Sequence, residues 1–348
     1  MILAGDVAIA PEAVHRFEEF PVEVREAPWC LNLEGAIGSP GAFPKWGVCN
    51  SSDWSRSFAA FRLGPVFLAN NHIHDLPQGV ARTYDALGRL GLCGFAAGAN
   101  ENSARKFATV SSGRHTYLLL GFGWPVIGCR PAGLVRMGVN VLEGRSVRRQ
   151  VAEALVLAPK ARVVVVVHGN YEFERYPQPA HRKLAMELVD MGAYAVIGHH
   201  PHVVGPVERY KGRTIAYSLG NWAFSYGRFF GGRLRFPDSS FQQIAIELGD
   251  EGDTVHHARF TPPTLVRYQF SEPVNGTNFS LRPDFQGFSH EAYVSWFKVN
   301  RVKRKGLPMY VDPDDSIGNW LRDRWVGTRQ MLIDAASKAG LKAMRRAE

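Results

Sequence analysis

Short apolar runs along this chain stop abruptly at polar, chemically capable residues. Met1–Ala4 ends at Gly5-Asp6, Trp29–Leu33 at Glu34, Val66–Ala69 at Asn70-Asn71-His72, Ala161–Val167 at His168, and Tyr194–Ile197 at Gly198-His199-His200-Pro201-His202. Continuous runs of this length predict strands covered on both faces. Between them, Gly79–Leu90, Val147–Leu157 and Ala180–Met191 carry apolar residues at helical spacing. Strands alternating with helices predict an α/β fold, a layered sandwich of sheets flanked by helices. Strand ends bearing Asp, Glu, Asn and His predict an active site at their carboxyl ends.

Two hairpins are expected next. Gly205–Tyr210 and Thr214–Leu219 flank Lys211-Gly212-Arg213, and Gln242–Leu248 and Thr254–Phe260 flank Gly249–Asp253. Thr261-Pro262-Pro263 breaks the pattern, which places a domain at residues 1–262 and a C-terminal mixed loop and helix extension at 263–348. The extension holds a basic cluster of Lys298, Arg301, Lys303, Arg304 and Lys305. Asp312–Asp315 would cap a helix running from Ile317 towards Met344, and its apolar Trp320, Val326, Met331 and Leu332 predict that it docks.

Composition narrows the class. Of 348 residues, 45% are hydrophobic and 21% charged, as in a soluble globular protein with a large core. The formal net charge of +9 favours anionic partners or serves solubility alone. No run interleaves basic and aromatic residues as an RNA-binding motif does, so specific nucleic-acid binding is not expected. Cys30, Cys49, Cys93 and Cys129 form no C-x-x-C pair and no disulfide framework, and are expected as free thiols. Met1 runs directly into an apolar strand without a basic or long apolar leader, and no later stretch is long enough to span a bilayer. The expectation is a cytoplasmic protein.

The strand ends carry the chemistry. Singly, each residue has an ordinary explanation: Asp6 a turn or cap, Glu34 a surface carboxylate, Asn70-Asn71 an asparagine-stabilised turn, His168 a satisfied core histidine. Gly5 would allow a tight turn that exposes Asp6. His200 and His202 would face one side of an extended segment. Together they supply what a two-metal site requires: a bridging carboxylate and terminal oxygen and imidazole ligands.

In this order, Gly5-Asp6-Val7, Asn32-Leu33-Glu34, Ala69-Asn70-Asn71-His72…Asp75, His168…Glu172, Gly198-His199-His200-Pro201-His202 and Ser218-Leu219-Gly220-Asn221 resemble the motifs of the CapA family, named for poly-γ-glutamate capsule synthesis. That family belongs to the calcineurin-like metallophosphatase superfamily, and the resemblance covers roughly residues 1–260. It implies Asp6 on one metal, Glu34 bridging, Asn71 and His168 on the second, and His200 and His202 shared. It implies His72 as a general acid that contacts substrate oxygen. Asp75 would fix its tautomer by accepting a ring N–H. The superfamily's first motif is Asp-x-His; here position 8 is Ala8, so one metal loses a ligand. Where many relatives read His-Trp-Gly, this chain reads His168-Gly169-Asn170, which alters the local wall of the pocket.

The implied function is a metal-dependent hydrolase, of phosphoester type, using one or two divalent ions (Mn, Zn or Fe) and linked to capsule or polymer biosynthesis. The expected substrate is anionic or peptide-like, with a polymer-synthesis protein as a possible partner. Two alternatives stand beside it: a non-catalytic assembly factor of a polymer synthase, and a metal-dependent acid/base enzyme such as a peptide epimerase. Arg130 and Arg175 are weighed as substrate grips and read as solvent-facing charge.

Overall fold

The computed structural model describes residues 1–39, 41, 43–250, 252–274, 285–302 and 306–338. Two sheets dominate. The larger runs Arg16–Glu18, Leu265–Pro273, Thr254–Thr261, Gln242–Glu247, Ile2–Ala8, Trp29–Leu33, Leu63–Phe67 and Gly94–Phe95 in spatial order, with Asn221–Phe224 also paired to Ile2–Ala8. The smaller runs Val207–Tyr210, Arg213–Ala216, Ala195–His199, Arg162–His168, His115–Gly123 and Ala108–Ser112.

The valine run explains how the layers stack. Val164 and Val166 enter the core between the two sheets, with Leu119, Ile197, Leu31 and Ile246. Val163 and Val165 point the other way, into a second core with Val147 and Val151 of the Gly144–Leu157 helix and Leu184 and Leu188 of the Pro179–Met191 helix. Each fully buried Val or Leu stabilises by about 1.5–3 kcal/mol. A one-residue slip would exchange the two faces, so the register is strongly specified. The result is the layered α/β sandwich that the alternating runs imply.

Parallel pairing brings the strand ends together. Ile2–Ala8 runs parallel to Trp29–Leu33, and that strand to Leu63–Phe67. In the smaller sheet Arg162–His168 lies parallel to its neighbours on both sides, with His168 opposite Gly123 and His199. Both expected hairpins form, as Val207–Tyr210 with Arg213–Ala216 and Gln242–Glu247 with Thr254–Thr261.

Three expectations need correction. Gly5 makes no turn: it lies within the Ile2–Ala8 strand, and a Cβ there would come within 2.1 Å of the Gly220 carbonyl oxygen. Glycine is required because the Gly220-Asn221 backbone approaches that closely. Pro262-Pro263 does not end the sheet, because Leu265–Pro273 returns as a further strand antiparallel to Thr254–Thr261. The helix Ser316–Lys338 does not bury the stripe expected of it. Val326 is buried, but Trp320, Met331 and Leu332 are 59%, 66% and 66% exposed.

The later residues are joined to the helical face of the smaller sheet. Tyr310 enters the second core, and its hydroxyl donates to Asp323 Oδ1 at 2.8 Å. Buried Arg182 pairs with Glu208 at 2.6 Å and lies over the Tyr293 ring at 4.8 Å, tying in the His290–Asn300 helix. Asp315 Oδ1 accepts from the Gly318 backbone N–H at 2.9 Å, the expected cap. Of the basic cluster, Lys303, Arg304 and Lys305 lie outside the described residues. All four cysteines are free, and among the described residues no helix is long and apolar enough to cross a membrane.

Candidate metal centre

Asp6 is fully buried inside its strand, flanked by register shifts against both neighbours. Its Oδ1 accepts from Asn32 Nδ2 at 2.7 Å and lies 3.1 Å from His199 Nδ1. Its Oδ2 accepts from the His200 backbone N–H at 3.3 Å and lies 3.4 Å from His202 Nδ1. Burial opposes the charged form of Asp6, but the His199 hydrogen bond and the His199, His202 and His168 imidazoles prevail and hold its carboxyl well below the usual range.

Glu34 is the centre of the arrangement. It is fully buried, and neither carboxylate oxygen has a hydrogen-bond partner. Its Oε1 lies 3.6 Å from His202 Nε2 and 3.7 Å from His72 Nε2. Burial first, then the nearby Asp6 and Glu172 carboxylates, raise its acid well above the ordinary value. Leaving a buried carboxylate unpaired costs several kcal/mol.

Two donor groups share that carboxylate: Asp6, Glu34 and His202, and Glu34, His168 and His200, the ligand atoms in each lying within 4.8 Å of one another. Asn71 extends the second group, its Oδ1 lying 2.8 Å from His168 Nε2. Burial holds His168 and His200 well below the usual histidine range, hence neutral with lone pairs to offer. Oxygen and imidazole donors around an orphaned carboxylate fit a pair of divalent cations.

All six residues expected as ligands therefore converge. His200 and His202 do so by a route other than the expected extended segment. Both have left-handed backbones, at φ 99° and 57°, so Pro201 joins two strained residues and each imidazole turns to a different group. Such strain at histidines persists only where the surroundings enforce it, and it clusters at functional sites. Ala8 is buried with Val48, Phe224 and Phe236, so no imidazole stands at that position.

His72 and Asp75 form the expected dyad. His72 Nδ1 lies 2.7 Å from Asp75 Oδ2, which also accepts from the Val48 backbone N–H at 2.8 Å. Asn70 builds the turn that presents them: its Oδ1 accepts from the Gly35 and His72 backbone N–H groups, and its Nδ2 donates to the Leu33 carbonyl at 2.8 Å. The adjacent asparagines thus divide the two roles open to them, Asn70 serving the turn and Asn71 the site.

Three residues stand in the recognised motifs without an assigned role. Asn32 bonds Asp6 and reaches within 3.1 Å of His168 Nδ1. Asn221 Oδ1 lies 2.9 Å from His202 Nδ1, leaving Nε2 towards Glu34. His199 holds Asp6 from the opposite sheet. The placement of Asn32 two residues before Glu34, at the end of the Trp29–Leu33 strand, was a usable signal for the first. Arg130 and Arg175 are exposed.

Relatives match parts of the chain. Over 156 residues it is 46% identical to the PGA biosynthesis protein CapA of Bacillus subtilis (strain 168), covering 44% of this chain and 37% of that protein. Over 193 residues it is 31% identical to the capsule biosynthesis protein CapA of Bacillus anthracis, covering 54% and 45%. Over 214 residues it is 30% identical to a probable polyglutamine synthesis accessory protein of Mycobacterium tuberculosis, covering 56% and 55%. The chain thus spans 37–55% of the length of these relatives. A putative 5'-nucleotidase from Staphylococcus aureus is similar in structure at 13% identity and a TM-score of 0.42, covering 78% of this chain and 53% of that one. Residues 25–226, more than half the chain, match the family described as bacterial capsule synthesis protein PGA_cap, and the chain belongs to that family.

Proposed function

We propose that this chain is a metal-dependent hydrolase of a phosphoester-type anionic substrate, working in capsule or polymer synthesis. The observation that carries the proposal is Glu34, a buried carboxylate without a hydrogen-bond partner, shared by two sets of imidazoles and oxygens. Asp6, Glu34 and His202 would hold one divalent cation. Glu34, His168, His200 and Asn71 would hold the other, and Mn, Zn or Fe suits this donor set. Bound there, the cations would supply Lewis-acid neutralisation of charge on a phosphoryl group.

The chain's own residues do the rest. His202 is walled by Phe236 and Phe224, ring centroids 4.8 Å and 5.4 Å away, which keeps water from that side. Asp75, fixed by the Val48 N–H, orients His72 through Nδ1 and leaves Nε2 facing the Glu34 end of the site. In its doubly protonated form His72 donates from Nε2 to the leaving oxygen. These residues all precede 262, and the residues after the Leu265–Pro273 strand act as an accessory extension. The names of the relatives support a place beside a polymer synthase.

The test pairs elemental analysis with turnover of phosphomonoester and phosphodiester substrates. His72→Ala is expected to retain metal and lose turnover by about 10²–10⁴-fold. Undiminished turnover would remove His72 from the chemistry. A second reading, a non-catalytic assembly factor with a structural metal, is favoured by Ala8, which leaves the Asp6 group with three donors against four around His168. Wild-type protein that binds metal and turns over no ester would select it.

A further inference from the structure

The Ser316–Lys338 helix turns an apolar face away from the body of the protein. At about 3.6 residues per turn, Ile317, Trp320, Leu321, Trp325, Met331 and Leu332 fall within an arc of about 140° and run for about 22 Å. They are 56–75% exposed. The opposite side makes the attachment. Val326 there is buried, Asp323 accepts from the Tyr310 hydroxyl, and Asn319 Nδ2 donates to the Asp312 carbonyl at 2.8 Å. The exposed face is held in place. Trp325 Nε1 donates to the Gly306 carbonyl at 2.6 Å, and Arg324 lies over the Trp320 ring at 5.9 Å. Side chains fixed in this way have little rotamer freedom left to lose on docking.

Area and charge narrow the occupant. The six side chains expose roughly 700–800 Å². The largest apolar patch on a typical monomer is about 300–600 Å², and a stable interface takes about 800 Å² from each partner. An anionic bilayer calls for a helix bordered by many lysines and arginines. Here, within residues 312–338, five aspartates stand against three arginines and one lysine, so the stretch is not basic. Arg322 is moreover engaged with Asp315 at 2.8 Å. A protein surface of equal area and equal apolar character fits better, and a second copy of this chain supplies one.

We infer that this face is a homodimer interface, in which two copies of the chain pack their Ser316–Lys338 helices antiparallel across a two-fold axis. The order of residues along the helix suits that symmetry. An axis at the level of Val326 sets Trp320 and Leu321 of one copy level with Leu332 and Met331 of the other, at both ends of the contact. It sets Arg324 level with Thr328, so the arginines do not oppose one another. Trp is among the residues that dominate interface energies when desolvated, and each copy brings two. None of these residues belongs to the metal centre, so the pairing is independent of the chemistry proposed there.

The test is the mass of the full chain in solution, by light scattering and sedimentation over a range of concentrations. Twice the chain mass is expected, with a Kd at or below about 10 µM. That value should be the same in chelator and in manganese, and nearly independent of salt. The double variant L321K/M331K sets like charges level across the axis and should weaken the dimer at least about thirtyfold, the loss of one hot spot. The double variant L321K/M331E sets opposite charges level and should recover part of that loss. Both positions are exposed, so the variants should fold, and thermal unfolding checks that they do. A wild-type monomer at about ten times that Kd, or an L321K/M331K dimer as tight as the wild type, would overturn the inference. Association of L321K/M331E no tighter than that of L321K/M331K would overturn the antiparallel pairing. A wild-type monomer that floats with phosphatidylglycerol vesicles would overturn it in favour of a membrane surface.

Discussion

Glu34→Gln separates a metal centre from a merely polar core. The substitution keeps side-chain size and removes the one carboxylate common to both donor groups. A ligand at about 100 times its Kd stabilises the folded state by about 2.7 kcal/mol per site. At about 2–4 °C per kcal/mol for a domain of this scale, each site should raise Tm by roughly 5–10 °C. Wild-type protein should show that rise when manganese or zinc replaces chelator, and Glu34→Gln should lose it for both sites. Asp6→Asn, which touches only the Asp6–Glu34–His202 group, should keep the increment of the other. In chelator the sign reverses. Glu34 is buried facing the Asp6 and Glu172 carboxylates, so the metal-free Gln variant should match the wild type or exceed it by about 1 kcal/mol. Thermal unfolding at fixed protein concentration, with metal content measured on the same samples, reads all three. A full metal-dependent increment in Glu34→Gln would refute the bridging role. A loss of several kcal/mol in chelator would show that the carboxylate serves the fold.

Two other outcomes test the framework around the site. Gly5→Ala places a Cβ 2.1 Å from the Gly220 carbonyl oxygen, a backbone atom, so it should destabilise by at least about 3 kcal/mol in denaturant unfolding; a loss below about 1 kcal/mol would show that the strands separate easily there. Burial depresses His15 from 6.5 to about 4, so the unfolded chain binds its proton first as pH falls. Its contribution is present above pH 6.5 and is lost progressively towards pH 4, about 3 kcal/mol in all. His15→Leu should flatten the pH dependence of stability in that window, and an unchanged slope would contradict it.

The C-terminal helix shows where pattern reading misleads. Trp320, Val326, Met331 and Leu332 look like one buried stripe, yet Val326 alone of them is buried. Apolar residues within a helix do not say which of its faces meets a neighbour. The Asp315 cap was readable because it depends on residues next to one another.

The sequence by itself determined the layers and the cast of the site. Continuous valine and leucine runs dictate strands buried on both faces, and their ends name Asp6, Glu34, Asn71, His72, His168, His200 and His202. Tertiary structure alone decided how these residues divide. Parallel pairing in two separate sheets sets Asp6 beside His199 across 193 positions of chain, and His168 beside Asn71 across 97. It also left Glu34 without a partner and turned His200 and His202 apart through left-handed backbones. Local propensity acts between near neighbours and fixes neither distances nor desolvation across such separations. Those follow only when the whole core has packed.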